Sequence, residues 1–361
     1  ATRTGMRVHK LIKQGQILDF GGNGGLAGAA RSITVSSSTQ TDFDLKETLG
    51  ASINATVIAE LNKVDGQEAS KTVNRNQLVQ IRVGSGGGTS YIANTTGPWP
   101  LGLSDGFKLV SVRKKSGSNF ASLTEGTDVT NSFVLDSGMN DSYYSHAQLV
   151  KKPGAGISIS SGDRLLVKLD YFTHSYSTGV GYFSVDSYPV NDATAGTDTT
   201  KIYTYDIPRF TSQRTGTLFD LRDCIDIRPR MTDTANTVTA LTNISINPKL
   251  STSFDQPSGG LRFMSTGDTF TTDLDYYLYR NDRIVLDRKG IFSLVRGVPS
   301  NNPTTPDEPL DSMSIATINL TPYPSLPDEQ ARRVGRTDLA SKVFPIKNPR
   351  FTMKDIGVLR D

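Results

Sequence analysis

The sequence predicts an all-β protein: tandem β-sandwich domains with extended proline-rich connectors and a short C-terminal helix start. Three observations carry this. Serine and threonine make up roughly a fifth of the 361 residues, beside 33 glycines and 17 prolines, a composition that favours strands and turns over long helices. Apolar and polar residues alternate with period two in one segment after another. Segments of that length and spacing call for sandwiches, because a half-buried sheet needs a second sheet over its apolar face.

Taken in order, residues 1–50 read as an N-terminal arm and extended segment, with GGNGGLAGAA at 21–30 its loosest stretch. A first β domain is expected over 51–150, from TVIAEL (56–61), QLVQIRV (77–83) and FKLVSVRK (107–114). A second, over 151–235, rests on DRLLVKLDYF (163–172) and GYFSVDSY (181–188). A third, over 236–325, contains the hairpin DRIVLDRKGIFSLVRG (282–297), in which Arg288, Lys289 and Gly290 turn between two apolar strands. VPSNNPTTPDEPLD and TPYPSLPDE read as extended connectors, since proline fixes φ and cannot donate to a sheet ladder. Residues 326–361 are connector followed by the start of a helix, with Thr352 as N-cap and Ile356 and Leu359 three apart on one face. A start at Ala1 and a stop at Asp361, just inside that helix, read as a fragment of a longer protein.

The charge balance narrows the function classes. With 39 basic and 36 acidic side chains the formal charge is +3, which points to neither a nucleic-acid nor a membrane-surface partner. One cysteine excludes an intrachain disulfide, and three histidines leave little for a self-contained zinc or catalytic centre. No apolar run approaches the roughly 18 residues of a membrane helix, so membrane insertion is not expected. Neither GGNGGLAGAA nor GSGGG (84–88) carries the glycine-lysine-serine/threonine ending of a phosphate loop or a dinucleotide fingerprint, and no cofactor is expected.

The densest charge lies in FDLRDCIDIRPR (219–230). Phe219, Leu221, Ile225 and Ile227 share one parity, and Asp220, Arg222, Asp226 and Arg228 the other. This predicts a strand with a buried apolar face and a solvated charge ladder, structural and not catalytic. Asp223 falls on the apolar parity, so an arginine or backbone partner is expected there. Cys224 has no histidine near it in sequence and reads as an ordinary small residue. Asp170 and His174 share a strand face, but two ligands without a third make a poor metal site, and a hydrogen-bonded surface pair is expected instead. Tyr143, Tyr144, Tyr171, Tyr182 and Tyr188 could line a glycan surface, or serve as strand filler and subunit-interface contacts. Asp136 and Asp141 flank a Ser-Gly-Met-Asn turn, which accounts for them without a glycosidase pair. Trp99, between prolines in GPWPLG, reads as a packed corner.

Four stretches in order, FVLDSGMNDSYYSHAQLV, RLLVKLDYFTHS, GYFSVDSYP and YDIPRFTSQRTGTLFDLRDCIDIRPR, resemble the virion structural proteins of large contractile-tailed phages, notably T-even-like phages of cyanobacteria. DLDYYLYRNDRIVLDRKGIFSLVRGVPSNNPTTPDEP and RFTMKDIGVLRD extend the resemblance, which covers most of 130–361 and is weaker over 1–120. It implies a chiefly β, non-enzymatic component of the virion tail, made in the host cytoplasm and placed in the baseplate or at a tail-fibre attachment. Other tail and baseplate proteins are then the expected partners. Glycine-rich and proline-rich ends that cannot satisfy themselves in one globule point further to a homo-oligomer, with a trimer favoured and contacts concentrated in 1–50 and 298–361. Two alternatives stand beside this reading: a receptor-binding fibre or lectin-like adhesin on host glycans, and a glycan-degrading tailspike, which would need paired carboxylates in a cleft.

Overall fold

The computed structural model describes residues 32–37, 40–44, 67–84, 94–175, 181–255, 276–322, 325–347 and 358. The chain divides into two units, residues 1–62 and 63–361. In the first, the strands Ser32–Ser37 and Gln40–Asp44 form an antiparallel hairpin. The predicted break near 50, the TVIAEL segment and the glycine-rich 21–30 stretch lie outside the described residues, as do Thr352, Ile356 and Leu359.

The second unit is built on strands, and the fold is all-β. Among the described residues its helical structure is Asp328–Arg333, the single helical residue Val358 and a few 3-10 turns. A five-stranded sheet runs in the order Ser245–Ile246, Ser70–Arg82, Asp163–Ser175, Gly106–Ser116, Thr127–Asp128. A three-stranded sheet, Trp99–Ser104, His146–Lys151, Phe133–Asp136, covers one of its faces. The period-two pattern explains the sandwich: Val79, Ile81, Leu165, Val167 and Leu169 point to one side and interdigitate with Trp99, Leu101, Leu103, Phe133 and Leu149. Burying each such side chain contributes about 1.5–3 kcal/mol. Trp99 is fully buried, its ring edge-on to Phe133 and its indole N–H donating to the Asn94 carbonyl, which is the packed corner its prolines suggested.

The opposite face of the five-stranded sheet is covered by chain of another character. Val73 and Phe172 on the sheet pack with Met139, Tyr144, Tyr188, Ile202, Ile207, Phe210 and Leu221. Most of these lie on irregular backbone between 181 and 230, held by single bridges rather than ladders. GYFSVDSY is accordingly not the strand its alternation suggested. Gly181–Tyr182 pairs in parallel with Gln67–Glu68, Phe183 makes a single bridge to Asp226, and Val185–Ser187 is a 3-10 turn capped by Ser184.

Strand pairing also crosses the domain breaks expected from sequence. Asp163–Ser175 lies hydrogen-bonded between Ser70–Arg82 and Gly106–Ser116, so no boundary falls at 150, and Ser245–Ile246 joins the same sheet across 235. A second five-stranded sheet spans the predicted break at 325, in the order Phe292–Val295, Arg280–Asp287, Ser312–Leu320, Ala340–Pro345, Leu326–Pro327. Its first pair is the expected hairpin, with Gly290 at φ 81 supplying the left-handed turn residue. The proline-rich chain after 298 runs extended over one face of this sheet. There Asn281 and Arg283 donate to the carbonyls of Pro303 and Pro306, and Ser314 donates to Glu308. TPYPSLPDE is only partly connector: Leu326–Pro327 is a strand and Asp328 opens the helix, whose acidic first turn and basic last turn match its dipole.

Candidate functional site

The strongest concentration of polar chemistry is buried between the sandwich and the 181–230 chain. Lys71 and His174 are direct cross-strand partners on the two longest strands, and both side chains are fully buried. Asp105 sits where the chain leaves the three-stranded sheet, at Ser104, and enters the five-stranded one, at Gly106. Its φ of 56 is a conformation aspartate tolerates better than most residues, and its carbonyl accepts from the Phe172 N–H at 3.0 Å. One carboxylate oxygen, Asp105 Oδ2, takes both Lys71 Nζ at 2.8 Å and His174 Nε2 at 2.7 Å. Lys71 also donates to the Tyr144 hydroxyl at 3.1 Å, which in turn donates to Asp226 Oδ2. Arg228 closes the chain: its Nε and Nη2 bind Asp226 at 2.9 and 2.8 Å, and its Nη1 donates to the Asn140 carbonyl.

Aromatic rings line this network. Lys71 Nζ lies 4.4 Å from the Tyr144 ring centroid, 4.9 Å from that of Tyr188 and 5.0 Å from that of Phe183, while Arg228 stacks between Tyr144 and Phe210. Burial would push the Asp105 carboxyl up. The Lys71 charge and the hydrogen bonds from His174 and Lys71 more than reverse that and hold it below the carboxylate range. Burial, then the Lys71 charge, takes His174 down to about 4. His174 is therefore neutral at pH 7 and donates Nε2–H to Asp105.

A neighbouring knot centres on Arg230, which binds Asp233 at 2.6 Å and Asp255 at 2.6 Å. Asp233 in turn accepts from the Ser104 N–H at 2.9 Å. The other end of the 219–230 stretch is open. A cleft of about 410 Å³ is lined by Arg209, Leu218, Phe219, Cys224 and Arg336 among others. Arg336 reaches across it to Asp220 at 2.9 Å, Asp223 at 2.6 Å and Asp338 at 2.7 Å, while Arg222 holds Asp220 bidentately. Burial, then Asp223, Asp226 and Asp220, pushes the Cys224 thiol up, so it is a protonated thiol and a poor nucleophile near neutral pH.

The expected charge ladder is inverted. Arg222, Asp226 and Arg228 are buried and Asp220 half-buried, whereas Phe219, Ile225 and Ile227 of the supposed core parity are exposed. Only Leu221 keeps its predicted burial, at 4% exposed. The reason is that the stretch is not one strand. Leu218–Asp220 pairs with Arg209–Thr211, a turn follows, and Asp226 and Arg230 then form isolated bridges with Phe183 and Tyr144. Asp223 has the arginine partner expected of it, but at the surface and not inside.

Asp170 and His174 are likewise not a surface pair. Asp170 is buried and accepts from Arg75 at 2.9 Å and from the Asn76 N–H at 2.7 Å, while His174 binds Asp105. Tyr144, Tyr171, Tyr182 and Tyr188 are buried, which removes them from any glycan-binding surface. Asp136 accepts from the Gly138 N–H at 3.0 Å, the turn role its neighbours suggested. Among the described residues no three His, Cys, Asp or Glu side chains gather around a point that could hold a metal ion. Sequence reading did not single out Lys71, Asp105 or Arg336. The positive-φ corner and the lysine opposite a histidine leave no period-two signal.

Comparison with known families finds a match over residues 228–342 to a family described as a domain of unknown function, DUF4815. The matched span begins at Arg228 and takes in Arg230, the Arg280–Asp287 hairpin, the proline-rich run and Arg336. No curated protein and no solved structure matches the chain.

Proposed function

We propose that the chain is a structural component of a phage virion, in the tail baseplate or at a tail-fibre attachment, acting by assembly with other tail proteins and not by catalysis. The observation that carries this reading is an apolar face of the second five-stranded sheet, several of whose side chains are exposed. The strand register places Ile284, Leu286, Phe292, Leu294, Ile318 and Val343 on that face, opposite the one covered by the proline-rich run. Phe292 is 66% exposed and Val343 57%, and the sheet contributes little to any apolar cluster beyond Leu326 and Ala340. Exposed apolar side chains gathered on one sheet face, here Phe292, Leu294 and Val343 among the described residues, mark a protein–protein contact. The neighbouring edge strand, Phe-Ser-Leu-Val, carries none of the charges that keep free edges from pairing. The resemblance to contractile-tail proteins supplies the setting, with a homo-oligomer, trimeric by preference, inside a larger assembly.

The test is Phe292→Asp combined with Leu294→Asp. These side chains are exposed in the monomer, so the variant should fold with unchanged circular dichroism. It should also lose oligomerisation by light scattering and fail to enter particles. Normal copy number in particles would show that this face is not the assembly surface. Tyr276 and Tyr277, about 70% exposed, favour the adhesin as a second reading. Saturable binding of host glycan, lost in Tyr276→Ala with Tyr277→Ala, is its test.

A further inference from the structure

We infer that Lys71 and Asp105 condense within the folded protein to an intramolecular isopeptide bond. Four features of the site carry this. The amine nitrogen is 2.8 Å from Asp105 Oδ2, so the carboxyl carbon it would attack lies one bond beyond that contact. Neither partner can drift. Lys71 is fixed by strand register opposite His174, and Asp105 by its positive-φ corner and the Phe172 N–H. Both side chains have no exposure to solvent, and the lysine nitrogen is ringed by Tyr144, Phe172, Phe183 and Tyr188. Finally, Asp105 Oδ1 is buried without a hydrogen-bond partner.

The last two features supply the driving force. A buried ion pair with one carboxylate oxygen unsatisfied carries a large desolvation cost, and that cost falls when the two charges become a neutral amide. Oδ1 then remains as the amide carbonyl oxygen. Fixed apposition supplies the rate, since holding two groups in reacting geometry replaces the entropy of bringing them together.

The step balances without any further reagent. The Nζ–Cγ bond forms and the Cγ–Oδ2 bond breaks. Of the three ammonium protons, one stays on the amide nitrogen and two leave with Oδ2 as water. The surrounding hydrogen bonds give both protons a route. One passes directly along the contact from Nζ to Oδ2. The other passes to the Tyr144 hydroxyl as that group's own proton shifts to the Asp226 carboxylate held by Arg228, and it returns through Nζ to Oδ2 as the Cγ–Oδ2 bond breaks, so that water leaves and Tyr144 and Asp226 end as they began. His174 Nε2–H, 2.7 Å from Oδ2, stabilises charge on the departing oxygen. Asp226 and Arg228 thereby act as positioning residues through Tyr144, a role for the arginine-rich stretch beyond ion pairing.

Such a bond would tie the Ser70–Arg82 strand to the corner between the two sheets of the sandwich, closing a loop from 71 to 105. A cross-link of that kind restricts the unfolded chain and resists extension under load.

Mass spectrometry on the purified full-length chain decides the matter. The intact denatured protein is expected to be lighter than its sequence mass by one water. Trypsin should fail to cut after Lys71, and the peptides carrying Lys71 and Asp105 should appear as one covalent species. The Lys71→Met and Asp105→Ala variants should each return to the full mass of their sequences. A wild-type chain at its full sequence mass overturns the proposal, as does a water loss that maps to other residues or survives in Lys71→Met.

Discussion

Asp226 and Arg228 are two residues apart and buried together, against an alternation that would place them in water. Each satisfies the other bidentately, and the Tyr144 hydroxyl and Asn140 carbonyl take up what remains. A pair of this kind adds little over an apolar filling, but losing one member leaves a buried charge alone. Asp226→Ala should therefore cost about 3–5 kcal/mol in urea unfolding, while Ile225→Ala, a few ångströms along but exposed, should cost well under about 1 kcal/mol.

His174 makes a second residue-scale prediction. Its pKa falls from 6.5 to about 4 on folding, with burial the leading cause, and that cause persists whether or not Lys71 and Asp105 are joined. Between those two values the unfolded chain binds the extra proton, so stability is fully present above about 6.5 and is lost as pH drops toward about 4. Unfolding measured across this window should show a decline on the order of 3 kcal/mol, and His174→Asn should flatten it. An unchanged slope in the variant would show that His174 is not the group responsible.

Among elements, the clip between the Leu218–Asp220 strand and the Gly335–Asp338 turn is held by Arg336. Its carboxylates are unequal. Asp220 also serves Arg222 and lies mostly buried, whereas the Asp223 side chain is about half exposed. Asp223→Ala should cost less than about 1 kcal/mol, as surface pairs do. Asp220→Ala, which strands the buried Arg222, should cost about 2–3 kcal/mol more, and the two variants can be compared by thermal melts. Cys224→Ser should leave folding unchanged, and maleimide labelling of Cys224 at pH 7 should be slow, because its neighbours disfavour the thiolate.

At the scale of the whole molecule, the two faces of the second five-stranded sheet differ. Residues 303–308 cover the polar side through backbone carbonyls and Glu308, while Phe292, Leu294 and Val343 stand exposed on the apolar side. If that side is an assembly surface, Val343→Lys should leave the melting temperature of the isolated chain within a few degrees, since Val343 is already exposed, while lowering its oligomeric mass in light scattering.

The strands that build the sandwich were readable because they obey a local rule. QLVQIRV, FKLVSVRK and DRLLVKLDYF each present one apolar face, and each is a strand in the structure. The Arg288–Gly290 turn and the turn role of Asp136 were readable for the same reason, since each depends on residues within a few positions. The sequence by itself thus determined the all-β class, the positions of the long strands and the chemistry of the tight turns. Tertiary structure alone decided which strands pair, and so erased the expected breaks at 150, 235 and 325. It also turned the arginine-rich stretch inside out and brought Lys71, Asp105, His174, Tyr144 and Asp226 to one point. The physical reason is that period two reports which face of a strand is apolar, not what lies against it. A buried charge depends on partners far away in sequence, and no local pattern records them.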